Sequence, residues 1–235
     1  QSRSSAASDV YKRQVMISVT EAVENRQSVR SFTKKQVPDE TLKRLIIKSS
    51  RSPSGGNLQP WRIYVVNGDT MKSFLDFQNN WKGSDKPEYP IYPEKLKEPY
   101  RTSRFKIGEQ LYSSIGIDRS DSQARVDQML KNFTFFGAPA GLFCYVDRQM
   151  NQPQWSDLGM FLQTFMLLAQ EEGIDTCAQE SWSLRQKMVS EFTEADEEHM
   201  LFCGMAIGYR DTTSPLNKYK TDRRSLDSWC TFINK

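Results

Sequence analysis

Arg26-Gln-Ser-Val-Arg30 places two guanidiniums and a hydroxyl at alternate positions of a short run. On an extended backbone alternate side chains share a face, so Arg26, Ser28 and Arg30 converge on one point. That donor set suits a phosphate, because arginine presents planar N–H pairs that match phosphate oxygens, which a lysine ammonium does not. A second segment, Arg51-Ser-Pro-Ser-Gly-Gly-Asn-Leu-Gln-Pro-Trp61, offers different chemistry. Ser54, Asn57 and Gln59 carry hydroxyl and amide donors behind Pro53, and Gly55 and Gly56 let the backbone lie close against a flat ligand.

The elements that must hold these two segments are readable from pattern. Leu42, Leu45 and Ile46 repeat at helical spacing while Lys43, Arg44 and Lys48 fall off that stripe, and Pro38-Asp39-Glu40 begins the segment as a helix start should. After Pro60-Trp61, the run Arg62-Ile-Tyr-Val-Val66 is β-branched and aromatic, the composition of a strand. Further on, Leu142–Val146 and Met200–Tyr209 are apolar strand segments, and Trp229–Ile233 is expected to form another at the end of the chain. Between the first two, Leu158, Phe161, Leu162, Phe165, Leu168 and Ala169 mark a helix over about 157–172 that is apolar nearly all round, so it belongs at the centre or at a subunit contact.

The order Arg-x-Ser-x-Arg, helix, then Pro-Ser-x-x-Asn-x-Gln-Pro-Trp before a strand resembles the two N-terminal flavin-binding elements of the nitroreductase family. The resemblance covers roughly residues 20–232. It implies that Arg26, Gln27, Ser28 and Arg30 hold the phosphate end of FMN and that Pro53, Ser54, Gly55, Gly56, Asn57 and Gln59 lie against the flavin. It also implies that Gln179, Glu180 and Ser181, in Asp175–Trp182, place backbone amides over the central flavin ring at N5. A fixed donor there stabilises the charge that builds on N5 during turnover; Glu180 acting as a free acid is the alternative role. In Lys218–Arg224 the family places a basic residue that completes the phosphate site, which Arg223 matches best, with Lys220 as the other choice. Arg224 and Ser225 depart from the smaller residue and proline expected there.

The resemblance implies an α+β fold, a central mostly antiparallel sheet flanked by helices, with a C-terminal strand exchanged in an obligate homodimer and each flavin at the interface. It implies an enzyme that takes hydride from NADH or NADPH onto FMN and then reduces nitroaromatic or quinone-like acceptors by a ping-pong mechanism. Two other readings remain: a same-fold flavin reductase of different chemistry, either a reductive dehalogenase or an enoate-type reductase, and a non-enzymatic FMN-binding protein. A lid is expected over about 81–136, where Pro87, Pro90, Pro93 and Pro99 make turns before helices near 101–114 and 121–133. Within it Glu88-x-x-x-Tyr92 matches the iodotyrosine-dehalogenating relatives in letters only, since Pro90 and Pro93 oppose a helix there. The stretch Pro87–Pro93 with Glu98-Pro-Tyr100 instead resembles the branch associated with nitroaromatic reduction.

Composition narrows the remaining classes. Asp9-Val-Tyr-Lys-Arg-Gln14 reads as the translation of a transposon end used in sequencing libraries, so residues 1–15 are expected to be a non-native leader ahead of a single domain over 16–235. Setting the leader aside leaves 29 basic against 28 acidic residues, a formal charge of +1 in place of +3, so the basic balance does not point to nucleic acid. No stretch of 18 apolar residues suggests a membrane span, and the expectation is a cytoplasmic protein. Cys144, Cys177, Cys203 and Cys230 lack Cys-x-x-Cys spacing and read as reduced thiols. His199 is the only histidine, in a glutamate-rich stretch, so neither a catalytic triad nor a histidine metal cluster is expected. With no P-loop or Gly-x-Gly-x-x-Gly motif either, a cofactor rather than a side chain must carry the hard chemistry of an enzyme built on this chain.

Overall fold

The computed structural model describes residues 17–233, so the expected leader at 1–15 lies outside the described residues. Ser18 starts α1 (Val19–Asn25) by a reciprocal cap: Glu21 N donates to Ser18 Oγ at 3.1 Å, and Ser18 N donates to the Glu21 carboxylate at 2.6 Å. The chain then runs extended through 26–30 before α2 (Asp39–Ser49), whose Leu42 and Leu45 are buried as their spacing requires. The loop at 51–60 follows, then β1 (Trp61–Asn67) and α3 (Asp69–Asn80). Two helices, α4 (Tyr100–Ser114) and α5 (Ser122–Leu130), lie in the segment where a lid was expected. Then come β2 (Ala140–Asp147), α6 (Gln152–Glu171), β3 (Asp175–Gln179), α7 (Gln186–Thr193) and β4 (His199–Gly208).

The four strands lie in the order β1-β2-β4-β3, every neighbouring pair antiparallel. β2 is inside the sheet, and its side chains alternate between two separate cores. Leu142, Cys144 and Val146 meet Leu42, Leu45, Leu158, Phe161 and Phe165 from α2 and α6. Phe143 and Tyr145 point the other way, into an aromatic core with Phe74 of α3, Phe135, Trp182 and Met188 of α7. The result is helix, sheet and helix in three layers, the arrangement that buries both faces of an apolar strand. Glycines make room for the aromatic layer: a Cβ on Gly204 would stand 2.3 Å from the Trp182 ring, and one on Gly141 would stand 2.6 Å from Phe135.

Several elements differ from the sequence-based expectation. α6 begins at Gln152 rather than near 157, because Pro153 fits a first turn and Asn151 N donates to the Gln154 side chain at 3.2 Å. α1, α3 and α7 were not marked by the patterns above, although Met71 and Phe74 of α3 do sit buried at helical spacing. Trp229–Ile233 is not a strand within this chain. A short 3-10 turn at Leu226–Ser228 precedes it, and Trp229, Phe232 and Ile233 are 63%, 73% and 77% exposed. An apolar run becomes a strand only against a sheet edge, and this one pairs with none of the described strands.

The segment after α3 is strapped down on the aromatic side. Asp85 accepts from Lys187 N at 2.7 Å, Trp81 donates to Glu191, and the Tyr89 hydroxyl donates to the Phe202 carbonyl. Glu88 is taken by both ends of the Arg148 guanidinium, and no helix forms around it, as Pro90 and Pro93 led us to expect. Cys144, Cys177 and Cys203 are buried free thiols, and Cys230 is half-buried. Among the described residues no helix is long and apolar enough to cross a membrane.

Candidate functional site

The extended run 26–30 attaches to the outer edge of β3. Val29 N donates to the Thr176 carbonyl at 3.0 Å, and Ser28 bridges Thr176 in parallel sense. Val29 is fully buried, so its neighbours turn outward. Together with Tyr219, Lys220 and Arg223 from the C-terminal segment, Arg26, Gln27, Ser28 and Arg30 line a cavity of about 300 Å³. Four cations, Arg26, Arg30, Lys220 and Arg223, face one carboxylate there, Glu24. Burial first, and then the charge of Arg223, hold the Arg26 guanidinium below its ordinary value. The Tyr219 hydroxyl is buried beside Arg30, and its own titration is pushed up by that burial. It makes no geometrically sound hydrogen bond among the described residues. A phosphate would neutralise the cations, so the residues present fit the phosphate end of a mononucleotide.

Asn217 holds this run in place. Its side-chain oxygen accepts from Arg30 N at 3.0 Å, its carbonyl accepts the Gln27 amide at 2.8 Å, and its own amide donates to Ser31 O at 2.8 Å and Asp211 O at 2.9 Å. Gln27 therefore lines the cavity with its amide already engaged. Asn217→Ala is expected to cost about 1 to 3 kcal/mol of folding stability, since it strands buried backbone groups on both sides, and urea denaturation reads that loss directly. Nothing in the sequence flags Asn217 or Tyr219, whose partners lie at the other end of the chain.

The second segment sits elsewhere. Pro53, Ser54, Gly55, Gly56, Asn57 and Gln59 form a tight turn on the surface, with φ of +57° at Gly56, +56° at Asn57 and +50° at Gln59. Only glycine adopts that conformation without cost, and asparagine tolerates it better than most. The turn is pinned to α6: Gly55 N donates to the buried Asp157 carboxylate at 3.2 Å, and Ser52 Oγ donates to Thr164 Oγ1 at 2.8 Å. Gln59 N donates to Ser54 Oγ at 3.0 Å. Asp157 is a positioning residue that its place on an otherwise apolar helix face could have disclosed.

The turn leads into β1, one edge of the sheet, whereas 26–30 lies outside β3, the other edge. Three strand spacings, about 14 Å, separate β1 from β3, so one chain does not bring its two motif halves together. Gln179, Glu180 and Ser181 lie at the end of β3, the strand to which the 26–30 run attaches. Gln179 is buried with its amide used: it donates to Asn132 O at 2.7 Å and accepts from Trp182 Nε1 at 3.3 Å. Loss of hydration raises the pKa of the Glu180 carboxyl. Ser181 is half-buried at the start of the turn that carries Trp182. Among the described residues no cluster of metal-ligating side chains is present.

Fold and cavity together define an α+β protein with a cationic cavity outside one sheet edge. The family model for the nitroreductase family matches residues 23–209, and the chain belongs to that family. It is 31% identical to the nitrobenzene nitroreductase of Ectopseudomonas oleovorans over 92% of this chain and 97% of that protein. It is also 31% identical to the 4-nitrobenzoate reductase of Pseudomonas putida, over 90% of this chain and 93% of that one. The crystal structure of the FMN and NADPH-dependent nitroreductase NfnB from Sphigopyxis sp. strain HMH superposes with a TM-score of 0.88 at 39% identity, covering 93% of this chain and all of that one.

Proposed function

We propose that this protein is an FMN-dependent oxidoreductase that uses NAD(P)H to reduce nitroaromatic acceptors, with quinones as further acceptors. The observation that carries the reading is the cavity of about 300 Å³ at 26–30, where Arg26, Arg30, Lys220 and Arg223 converge against the single carboxylate of Glu24. Its relatives named for reducing nitroarenes, and a neighbour whose title names FMN and NADPH, support the same chemistry. Bound FMN supplies the redox step, taking two electrons from NAD(P)H and passing them to the acceptor. In this reading Arg26, Ser28, Arg30, Lys220 and Arg223 hold the phosphate, and the backbone at Gln179, Glu180 and Ser181 faces the ring. The turn at Pro53–Gln59 closes the site from a second copy, because its own chain carries it to the opposite sheet edge. The exposed apolar residues Trp229, Phe232 and Ile233 then find cover in the same homodimer. Reduced, buried thiols accord with a cytoplasmic protein. A dehalogenating role for Glu88 is disfavoured by its pairing with Arg148.

The test is a flavin spectrum of the purified protein followed by anaerobic titration with NADH and NADPH and steady-state kinetics with a nitroarene. Donor and acceptor share one pocket, so double-reciprocal plots at several donor concentrations should be parallel, as ping-pong turnover requires. Bound FMN that neither NADH nor NADPH reduces would overturn the enzymatic reading. Halide release without nitro reduction would replace it with the dehalogenase.

A further inference from the structure

A second cavity, about 360 Å³, lies between α4 and the C-terminal segment at 221–224. Thr221 and Arg223 line both this space and the cavity at 26–30, so the two adjoin. We infer that the second cavity takes the adenylate half of a flavin dinucleotide, so that the site holds FAD as well as FMN. The inference rests on the reading above and extends its cofactor beyond the first phosphate.

The lining of the second cavity is cationic. Lys106, Arg223 and Arg224 stand against one carboxylate, Asp222, and none of the three cations forms an ion pair among the described residues. The Arg224 guanidinium lies 5.6 Å from the centre of the Tyr100 ring, a contact that uses the face of the cation and spends none of its N–H groups. Arg223 turns one nitrogen to the Thr221 hydroxyl and the Asp222 carbonyl, which leaves its other N–H groups for oxygens in either cavity. A planar guanidinium between two such spaces suits a pyrophosphate, whose linked phosphates present oxygens to both sides of it. Two separate phosphates that close would repel each other. FMN ends in the first cavity and leaves Lys106 and Arg224 without an anion, whereas the second phosphate of FAD reaches them and its adenosine meets the apolar surface of Pro99 and Ile107. The volume is sufficient, since small-ligand sites run from about 300 to 1,000 Å³.

The experiment strips flavin from the purified full chain and follows its titration with FMN and with FAD by fluorescence. FAD is expected to bind at least as tightly as FMN. Combining Lys106→Gln with Arg224→Gln should weaken FAD roughly tenfold or more, as the loss of a charge-assisted contact allows, and leave FMN affinity unchanged. FAD that binds the parent protein more weakly than FMN would overturn the inference, as would a double variant that loses both flavins equally or loses neither. A KM for NADPH that rises in the double variant while FAD affinity holds would assign the cavity to the electron donor and also overturn it. The two readings fail separately: FMN binding without FAD removes this inference and leaves the proposed function standing, whereas a chain that binds neither flavin removes both.

Discussion

Arg26→Ala is expected to lower FMN affinity by about 1.5 to 3 kcal/mol, roughly ten- to a hundredfold, with the fold intact. Arg26 is half-buried at the cavity wall with Arg223 across from it, so a bound phosphate replaces mutual repulsion by attraction and both guanidiniums gain. Arg223 is exposed, and its donors turn to Thr221 and Asp222 in the same segment, so it must swing toward the ligand and should contribute less than Arg26. The double replacement should leave protein that purifies without flavin. Fluorescence titration of free FMN measures each loss. Unchanged affinity in both single variants would remove this cavity as the phosphate site.

Trp182→Ala should be the most damaging single change to stability, at about 3 to 5 kcal/mol for a fully buried large aromatic. Its ring meets Phe74 at 5.4 Å, Phe133 at 5.4 Å, Phe135 at 4.7 Å and Phe143 at 5.2 Å, joining α3, the turn at Lys131–Gly137 and β2. It also lies against Gly204, where a Cβ would stand 2.3 Å from its ring, so the cavity left by its loss faces a residue with no side chain. Because Trp182 directly follows Glu180 and Ser181 and ties Gln179 by its indole N–H, the loss should also reach the segment proposed to face the flavin. A urea midpoint and flavin content measured on the same preparation check both effects. A variant of parental stability would show that the aromatic core is redundant there.

What could be read from sequence was whatever depends on near neighbours along the chain. The stripe of Leu42 and Leu45, the apolar runs of β2 and β4 and the alternation of Arg26, Ser28 and Arg30 all survive in the structure, because helical and strand periods are local properties of the backbone. The turn at Ser54–Gln59 was legible for the same reason, its glycine and asparagine meeting a left-handed backbone. Trp229–Ile233 shows where that reasoning stops: its composition is that of a strand, yet strand formation needs a partner edge that the segment itself does not specify. Asn217 and Tyr219 gain their roles only when the C-terminal segment returns to the 26–30 run, a pairing with no local signature. The placing of the two motif halves at opposite sheet edges is likewise a matter of strand order. Periodicity tells which face of an element is buried, and only the packing of distant elements decides which functional groups meet.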